Sequence, residues 1–303
     1  MIPTTLHSVA CFGEILWDIL PMAALPRGAP MNVAYHLHKL GTAPVLITKI
    51  GRDDYGQKLM DLLTQHGLPT EYVQVDELHS TGLVYAKPDE HNEVKYDIVY
   101  PSAWDFIEWQ QEYASLLQQA EYFIYGSLTS RSDMSRDTLY RLLEIAQTKV
   151  LDINLRPPHF NQAGVEYLLQ NSDVLKMNSA ELELVSGWYG DFQTPEDRMQ
   201  LLQDRFRMET IIVTMGAEGA IVKDSGSIHR HPGFNVTVAD TIGSGDAFLA
   251  GFIHQKLNSA PVEQALEFAC AMGAFIATQR GACPSYELDQ VAELINAHAS
   301  PGS

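Results

Sequence analysis

Short apolar runs alternate along this chain with longer amphipathic stretches, regularly enough to predict most elements. Val9 to Leu20 reads as a buried strand running into Pro21. Pro30 to Leu40 has helical spacing, and Gly41 ends it. Val45 to Ile50 is a short apolar strand, and Asp54 to His66 a helix with Gly67 just past its end. Further strands are predicted at Tyr122–Tyr125, Val150–Asn154, Val174–Met177 and Thr210–Met215. Helices lie between and after them at Ser135–Gln147, Ala163–Gln170, Ala180–Ser186 and Thr194–Phe206. Ala220–Lys223 and Ser227–His231 read as a hairpin, followed by helices at Asp246–Leu257, Val262–Gln279 and Glu287–Ala297. Strands separated by helices predict an α/β fold, a doubly wound and mostly parallel sheet flanked by helices.

Glu71 to Tyr100 breaks the rhythm. Leu83–Lys87 and Val94–Val99 are strand-like, and the turn-rich link Pro88-Asp89-Glu90-His91-Asn92 joins them. This predicts a small β flap outside the main sheet. With no internal repeat and no low-complexity linker, residues 1–303 read as a single domain, with lid strands near residues 10–30 and 71–105.

Composition narrows the function classes. A formal net charge of −18 opposes binding to nucleic acid and to anionic membranes. It also repels ATP at long range, so a nucleotide site must rely on local N–H groups, a few cations and a metal ion. No apolar stretch reaches membrane-spanning length, and the N-terminus has no signal-peptide pattern. Cys11, Cys270 and Cys283 lack metal-ligand spacing and fit a reduced, cytoplasmic setting. The pairs His36/His38 and His229/His231 read as structural or surface residues.

The chemistry concentrates in Asp240-Thr241-Ile242-Gly243-Ser244-Gly245-Asp246, just before a helix. A helix N-terminus presents unpaired N–H groups, and glycines let an anion approach them closely. A phosphoryl group in transfer carries charge on its equatorial oxygens. On these residues alone, Asp246 reads either as a helix N-cap or as a carboxylate base beside an anion pocket. The stretch is not a Walker A loop, because no Gly-Lys-Ser/Thr follows. No Gly-x-Gly-x-x-Gly follows the first strand, which disfavours a dinucleotide-binding dehydrogenase.

Asp240 to Phe248 resembles the C-terminal signature of the ribokinase-like (PfkB) carbohydrate kinases. Arg27-Gly28-Ala29-Pro30-Met31-Asn32 resembles their N-terminal Gly-Gly-x-x-x-Asn signature, and Gly51-Arg52-Asp53-Asp54-Tyr55-Gly56 the Gly-x-Asp-x-x-Gly turn that follows it. Asn178-Ser179-Ala180-Glu181 resembles the Asn-x-x-Glu motif, and Val213 to Gly219 the nucleotide-side strand and turn. The motifs run in family order over nearly the whole chain. Ala103-Trp104-Asp105-Phe106-Ile107, Tyr125-Gly126-Ser127-Leu128 with Arg131, and Asp152 to Pro158 look closest to the fructokinase branch.

The resemblance implies a ribokinase-like fold with a β lid and ATP-dependent transfer to a primary sugar hydroxyl, with fructose or a related hexose as acceptor. Asp246 would be the base, and the N–H groups of Gly243, Ser244 and Gly245 the anion hole. Asp18, Gly28 and Asn32 would hold sugar hydroxyls, with Arg156 at the sugar or the phosphates. Thr214, Gly216 and Gly219 would line ATP, and Asn178 and Glu181 would organise Mg2+ through water. Family members often hold a monovalent cation, here potassium on Asp240, Ile242, Gly281 and Ser285. The lid would exclude water and offers a surface to a second copy. Alternatives stay open: a sugar-acid or nucleoside kinase, or a non-catalytic sensor on the same fold. Asp18, Asn32, Glu181 and Arg156 each also admit an ordinary capping, packing or loop role. Two positions depart from the family: Ser244 stands for a commoner alanine, and Arg27 for the first glycine of the usual pair. Arg27 is expected either to sit idle at the surface or to meet an anionic substrate.

Overall fold

In a computed structural model, residues 7–20, 23–88 and 94–299 are described. Nine strands form the main sheet: β1 (Val9–Phe12), β4 (Pro44–Gly51), β5 (Val73–Asp76), β8 (Tyr122–Gly126), β9 (Thr148–Asp152), β10 (Val174–Asn178), β11 (Thr210–Thr214), β12 (Ala220–Asp224) and β13 (Ser227–His231). Their order is β13-β12-β11-β10-β9-β8-β1-β4-β5, parallel from β11 through β5 and antiparallel at the β11–β12–β13 edge. The helices between parallel strands make the crossovers such a sheet requires.

Alternate side chains of each strand enter different cores. Val9, Cys11, Ile124, Val150 and Ile212 join one cluster, and Ala10, Phe12, Phe123, Leu151 and Ile211 the other. The first is covered by α1 (Ala29–Lys39), α2 (Asp54–Gln65), α8 (Ser244–Leu257), α9 (Val262–Ala277) and α10 (Leu288–Ala299). The second is covered by α3 (Glu112–Gln119), α4 (Asp133–Leu143), α5 (Gln162–Gln170), α6 (Ser179–Gly187) and α7 (Pro195–Phe206). Helix α8 is buried continuously from Ala247 to Ile253 and packs so closely on α9 that a Cβ on Gly251 would lie 3.0 Å from Met272 Cγ. Its apolar residues circle the helix, as burial on all sides demands.

A second sheet, β3-β2-β6-β7, stands apart. It contains β2 (Leu16–Leu20), β3 (Ala23–Arg27), β6 (Gly82–Pro88) and β7 (Val94–Ile98). The stretch Val9 to Leu20 is therefore two strands in different sheets. The break falls at Gly13-Glu14-Ile15, where Gly13 N–H still donates to Ile47 O in the main sheet at 3.1 Å. The expected flap is also narrower than Glu71 to Tyr100. Val73–Asp76 is the edge strand of the main sheet, pinned by a buried Lys49–Asp76 ion pair of 3.0 Å. Of the predicted turn-rich link, residues 89–93 lie outside the described residues. β3 falls within the lid strands expected near residues 10–30, whereas β5 and α3 carried no individual prediction. β3 and β5 are strands of five and four residues without clear alternation.

The segment after α9 is fastened to α1 residue by residue. His36 Nε2 donates to Ala282 O at 2.9 Å, so its Nδ1 is the acceptor for Tyr286 OH at 3.1 Å. Tyr35 OH donates to Pro284 O at 2.6 Å. His36 is thus a fully buried neutral imidazole, its pKa lowered to about 4 by burial against the opposing pull of Ala282 O. Its ordinary value lies near 6.5, so the unfolded chain binds a proton here that the fold refuses. The linked stability is complete above pH 6.5 and is lost as pH falls from 6.5 toward 4, by up to about 3 kcal/mol. We predict that His36→Gln unfolds more easily at pH 7.5, by about 1–2 kcal/mol. It should also lose less stability than the parent between pH 6.5 and 5. Thermal melts across that range test both, and parallel slopes in the two proteins would refute the assignment.

Candidate active site

Ligand sites of open α/β sheets gather at the carboxyl ends of the parallel strands. Here those ends deliver Asp152 from β9, Lys176 and Asn178 from β10, and Thr214 from β11, with Asp152 opposite Lys176 and Asn178 opposite Thr214. Lys176 Nζ donates to Asp152 Oδ2 at 2.8 Å, and both side chains are buried. Burial alone would strip the lysine of its proton. Asp152, Asp246 and Glu181 outweigh it and hold the ammonium above its ordinary pKa.

Helix α8 begins directly over this ammonium. Gly243 caps it at φ 77°, a left-handed conformation, with its α-carbon against the 281–286 segment: a Cβ there would lie 2.6 Å from Ala282 Cα. A Cβ on Gly245 would stand 3.0 Å from Lys176 Nζ. Among the described residues the N–H groups of Gly243, Gly245 and Asp246 meet no protein acceptor, whereas Ser244 N–H leans on Thr241 O at 3.3 Å. The Ser244 hydroxyl turns the other way and donates to Gly273 O at 2.9 Å, tying α8 to α9. An alanine in that position would lack this tie.

Asp246 lies in the first turn of α8. Its Oδ2 accepts a 2.7 Å bond from Asn32 Nδ2, which spans α8 and the first turn of α1. Burial raises the carboxyl pKa above its usual range. Lys176 opposes that rise, Asp152 reinforces it, and the Asn32 bond and Arg156 oppose it. A carboxylate adjacent to unpaired N–H groups and an ammonium can take a proton while an anion sits beside it.

The remaining residues surround this pair. Asp18 sits on β2 of the small sheet and is buried. Arg27 closes β3 on the neighbouring strand and reaches back, Nε to Asp18 Oδ2 at 2.6 Å, with its side chain only 20% exposed. Arg27 is therefore not an idle surface residue, and it needs no left-handed turn, because the strand simply ends there. Asp18 Oδ2 has no aligned hydrogen bond despite this contact. Gly28 caps α1 at φ 140°, pressed against Glu14 so closely that a Cβ would fall 2.2 Å from Glu14 O. Glu14 is itself buried, accepting from Ala29 N–H at 3.3 Å and Thr129 Oγ1 at 3.4 Å, and burial lifts its pKa to about 7. Among the described residues, Arg156, on the exposed loop after β9, has a hydrogen bond only to Leu155 O, at 3.2 Å. It lies within electrostatic reach of Glu14, Asp18 and Asp246.

Asn178 and Glu181 cap α6 reciprocally, with Glu181 N–H donating to Asn178 Oδ1 and Asn178 N–H to Glu181 Oε2, both at 2.9 Å. Glu181 Oε1 accepts a third bond from Leu155 N–H at 2.9 Å. Thr214 is half-buried at the end of β11. Gly216 faces open space at φ 59°, and Gly219 abuts His231 O. Asp240 joins two loops, its Oδ1 accepting from Ile242 N–H at 3.0 Å and its Oδ2 from Gly281 N–H at 3.2 Å. Ser285 is exposed and shares none of these bonds.

Sequence reasoning gave no role to Lys176, Asp152, Glu14 or Cys283, which donates its S–H to Asn32 Oδ1 at 3.3 Å. One signal was available. A lysine inside Val174-Leu175-Lys176-Met177 and an aspartate after Val150-Leu151 are charges in fully buried parallel strands, where an unpaired charge is costly.

Residues 25–289 match the family described as pfkB family carbohydrate kinase. Fructokinase-2 of Oryza sativa subsp. japonica is 28% identical over 325 residues, covering 96% of this chain and 95% of its own length. A fructokinase from Xylella fastidiosa with bound ATP superposes at a TM-score of 0.86 with 23% identity, over 97% of this chain and all of that one. A Vibrio cholerae fructokinase in a form with fructose, ADP and potassium ion superposes at 0.83 with 25% identity, over 96% of this chain and 98% of its own. A family match spanning most of the residues, and relatives aligned nearly end to end, place this chain in the pfkB family of carbohydrate kinases.

Proposed function

We propose that this kinase transfers the γ-phosphoryl group of ATP to a primary hydroxyl of a hexose, with fructose as the acceptor. The observation that carries the reading is Asp246 beside the unpaired N–H groups that open α8, with the Lys176 ammonium beneath them. The fructokinase names of the relatives and the ATP, ADP and fructose in the neighbouring structures support the substrates.

The Asp246 carboxylate takes the proton from the sugar hydroxyl as that oxygen bonds to the γ-phosphorus. The bond from phosphorus to the bridging oxygen breaks, and ADP leaves with its electron pair. An ordinary carboxylate is a weak base for an alcohol, and a raised pKa strengthens it as long as it stays ionised. The free N–H groups of Gly243 and Gly245, with Lys176, meet the charge on the transferring group, and fixed donors of this kind need no reorganisation. Ser244 N–H, already leaning on Thr241 O, is the weakest member of the expected anion hole.

Asp18 Oδ2, buried without an aligned bond, suits a sugar hydroxyl, together with Asn32, the Gly28 backbone and Arg156. Thr214, Gly216 and Gly219 line the nucleotide. Magnesium fits Asn178 and Glu181 only through water. Each Glu181 oxygen already accepts a backbone bond but keeps a lone pair, and no cluster of three or more His, Cys, Asp or Glu among the described residues forms a metal cage. When bound, the ion supplies charge neutralisation on the phosphates. Potassium would rest on the Asp240, Ile242 and Gly281 backbone, with Ser285 outermost. The small sheet closes over the sugar as a lid, and its exposed Tyr96 and Tyr100 offer a surface for a second copy. Three free cysteines suit a reducing, cytoplasmic compartment. No helix among the described residues is long and apolar enough to cross a membrane.

Asp246→Asn should lower kcat at least about 100-fold while ATP affinity holds, and near-normal turnover would sink the base assignment. Lys176→Met, provided its melting curve shows a folded protein, should cost about 100-fold in kcat. It should also move the acid limb of the pH profile upward, because the ammonium that restrains the Asp246 pKa is gone. A coupled assay of magnesium-dependent ADP release over fructose, other hexoses, sugar acids and nucleosides should give the highest kcat/KM with fructose. Preference for another class would reassign the acceptor, and no release with any of them would point to a sensor.

A further inference from the structure

The base is oriented by Asn32, and Asn32 has a second partner of its own. An amide's oxygen and nitrogen have nearly the same shape, so its partners decide which way round it sits. Asn32 is buried, 3% exposed, in the first turn of α1. On one side Nδ2 meets Asp246 Oδ2 at 2.7 Å, and on the other Oδ1 meets Cys283 Sγ at 3.3 Å. Reversed, the amide would set its oxygen against a carboxylate oxygen. The sulfur itself is fixed in place: Gly281 N–H is held by Asp240, Ala282 O by His36 and Pro284 O by Tyr35, so residues on either side of Cys283 are pinned.

We propose that Cys283 is a positioning residue for the phosphoryl transfer. Its S–H fixes the Asn32 amide so that Nδ2 donates to Asp246 Oδ2, which leaves Oδ1 to receive the hydroxyl proton. This rests on Asp246 being the base. The thiol keeps its hydrogen for the purpose, because burial and the nearby Asp246 charge push its pKa far up. It is a donor at every assay pH, not a redox or alkylation handle. The groups facing Asp246 are Lys176 from β10, Asp152 from β9, Arg156 from the loop after β9, Glu14 between the two sheets and Asn32 from α1. Those around Cys283 include Tyr35 and Tyr286. Among the described residues, Asn32 is the group at Asp246 that Cys283 hydrogen-bonds.

The test compares Cys283→Ser, which keeps a donor, with Cys283→Ala, which does not. Cys283→Ala should lower kcat with fructose and ATP about 5-fold at unchanged KM for ATP. The acid limb of its kcat profile should rise by about half a pH unit, since Asp246 loses a bond to its charged form. Cys283→Ser should stay within about 2-fold of the parent on both measures. In an Asn32→Ala background, Cys283→Ala should add nothing further. Equal behaviour of the serine and alanine variants, whether both normal or both impaired, overturns the proposal, as does an additive double variant. The Asp246 pKa read by carboxyl 13C NMR should rise in the alanine variant alone. That measurement needs no turnover, so it decides the matter even if the parent phosphorylates no sugar and the kinase reading itself fails.

Discussion

The buried ammonium of Lys176 is the constraint around which this molecule's chemistry is arranged. A lysine inside a parallel strand must keep a counter-charge within reach or lose its proton, and Asp152, opposite it on β9, is that partner at 2.8 Å. The pair joins two central strands, sets a positive charge beneath the first turn of α8, and leaves little room for a Cβ at Gly245, which would stand 3.0 Å from Lys176 Nζ. A chain carrying a net charge of −18 can in this way keep a local environment for phosphate that its long-range field opposes.

Around that charge the molecule balances two opposing sets of influences on one carboxyl. Burial and Asp152 raise the Asp246 pKa, while Lys176, Asn32 and Arg156 lower it. Too much of the first would leave a protonated acid, and too much of the second a base too weak to help. The compromise is held by elements distant in sequence: α1 supplies Asn32, β10 supplies Lys176, and the segment after α9 braces both α1 and α8. The His36 clamp belongs to this bracing. It therefore links stability below pH 6.5 to the same geometry that serves the site.

Much of this was legible in the sequence, for physical reasons. Strands buried on both faces read as apolar runs, and helices ended by Gly41 or Gly67 read as such, so the layered α/β plan followed. The Gly-Ser-Gly-Asp stretch located the helix N-terminus and its carboxylate. What stayed hidden depended on partners far along the chain. Val9 to Leu20 is an apolar run broken by Gly13-Glu14 and Asp18, and nothing local says that its first half pairs with β4 and its second with β6. β5 is too short for alternation to register. Arg27 looked like a missing glycine, when in the fold it is the diagonal ion-pair partner of Asp18 on the neighbouring strand. Lys176 and Asp152 were visible as charges in apolar runs, but their pairing needed the strand order.

Two strands of the small sheet, β2 and β3, are spliced into the chain between β1 and α1, with Gly13 leaving the main sheet and Gly28 opening α1. Side chains on β2 and β3 alternate faces, so gaining or losing one residue within either strand would turn Asp18 or Arg27 to the opposite face and break their ion pair. The exposed Ala23 and Ala24 can change identity at little cost, but the length of the strands cannot change without breaking the Asp18–Arg27 pair.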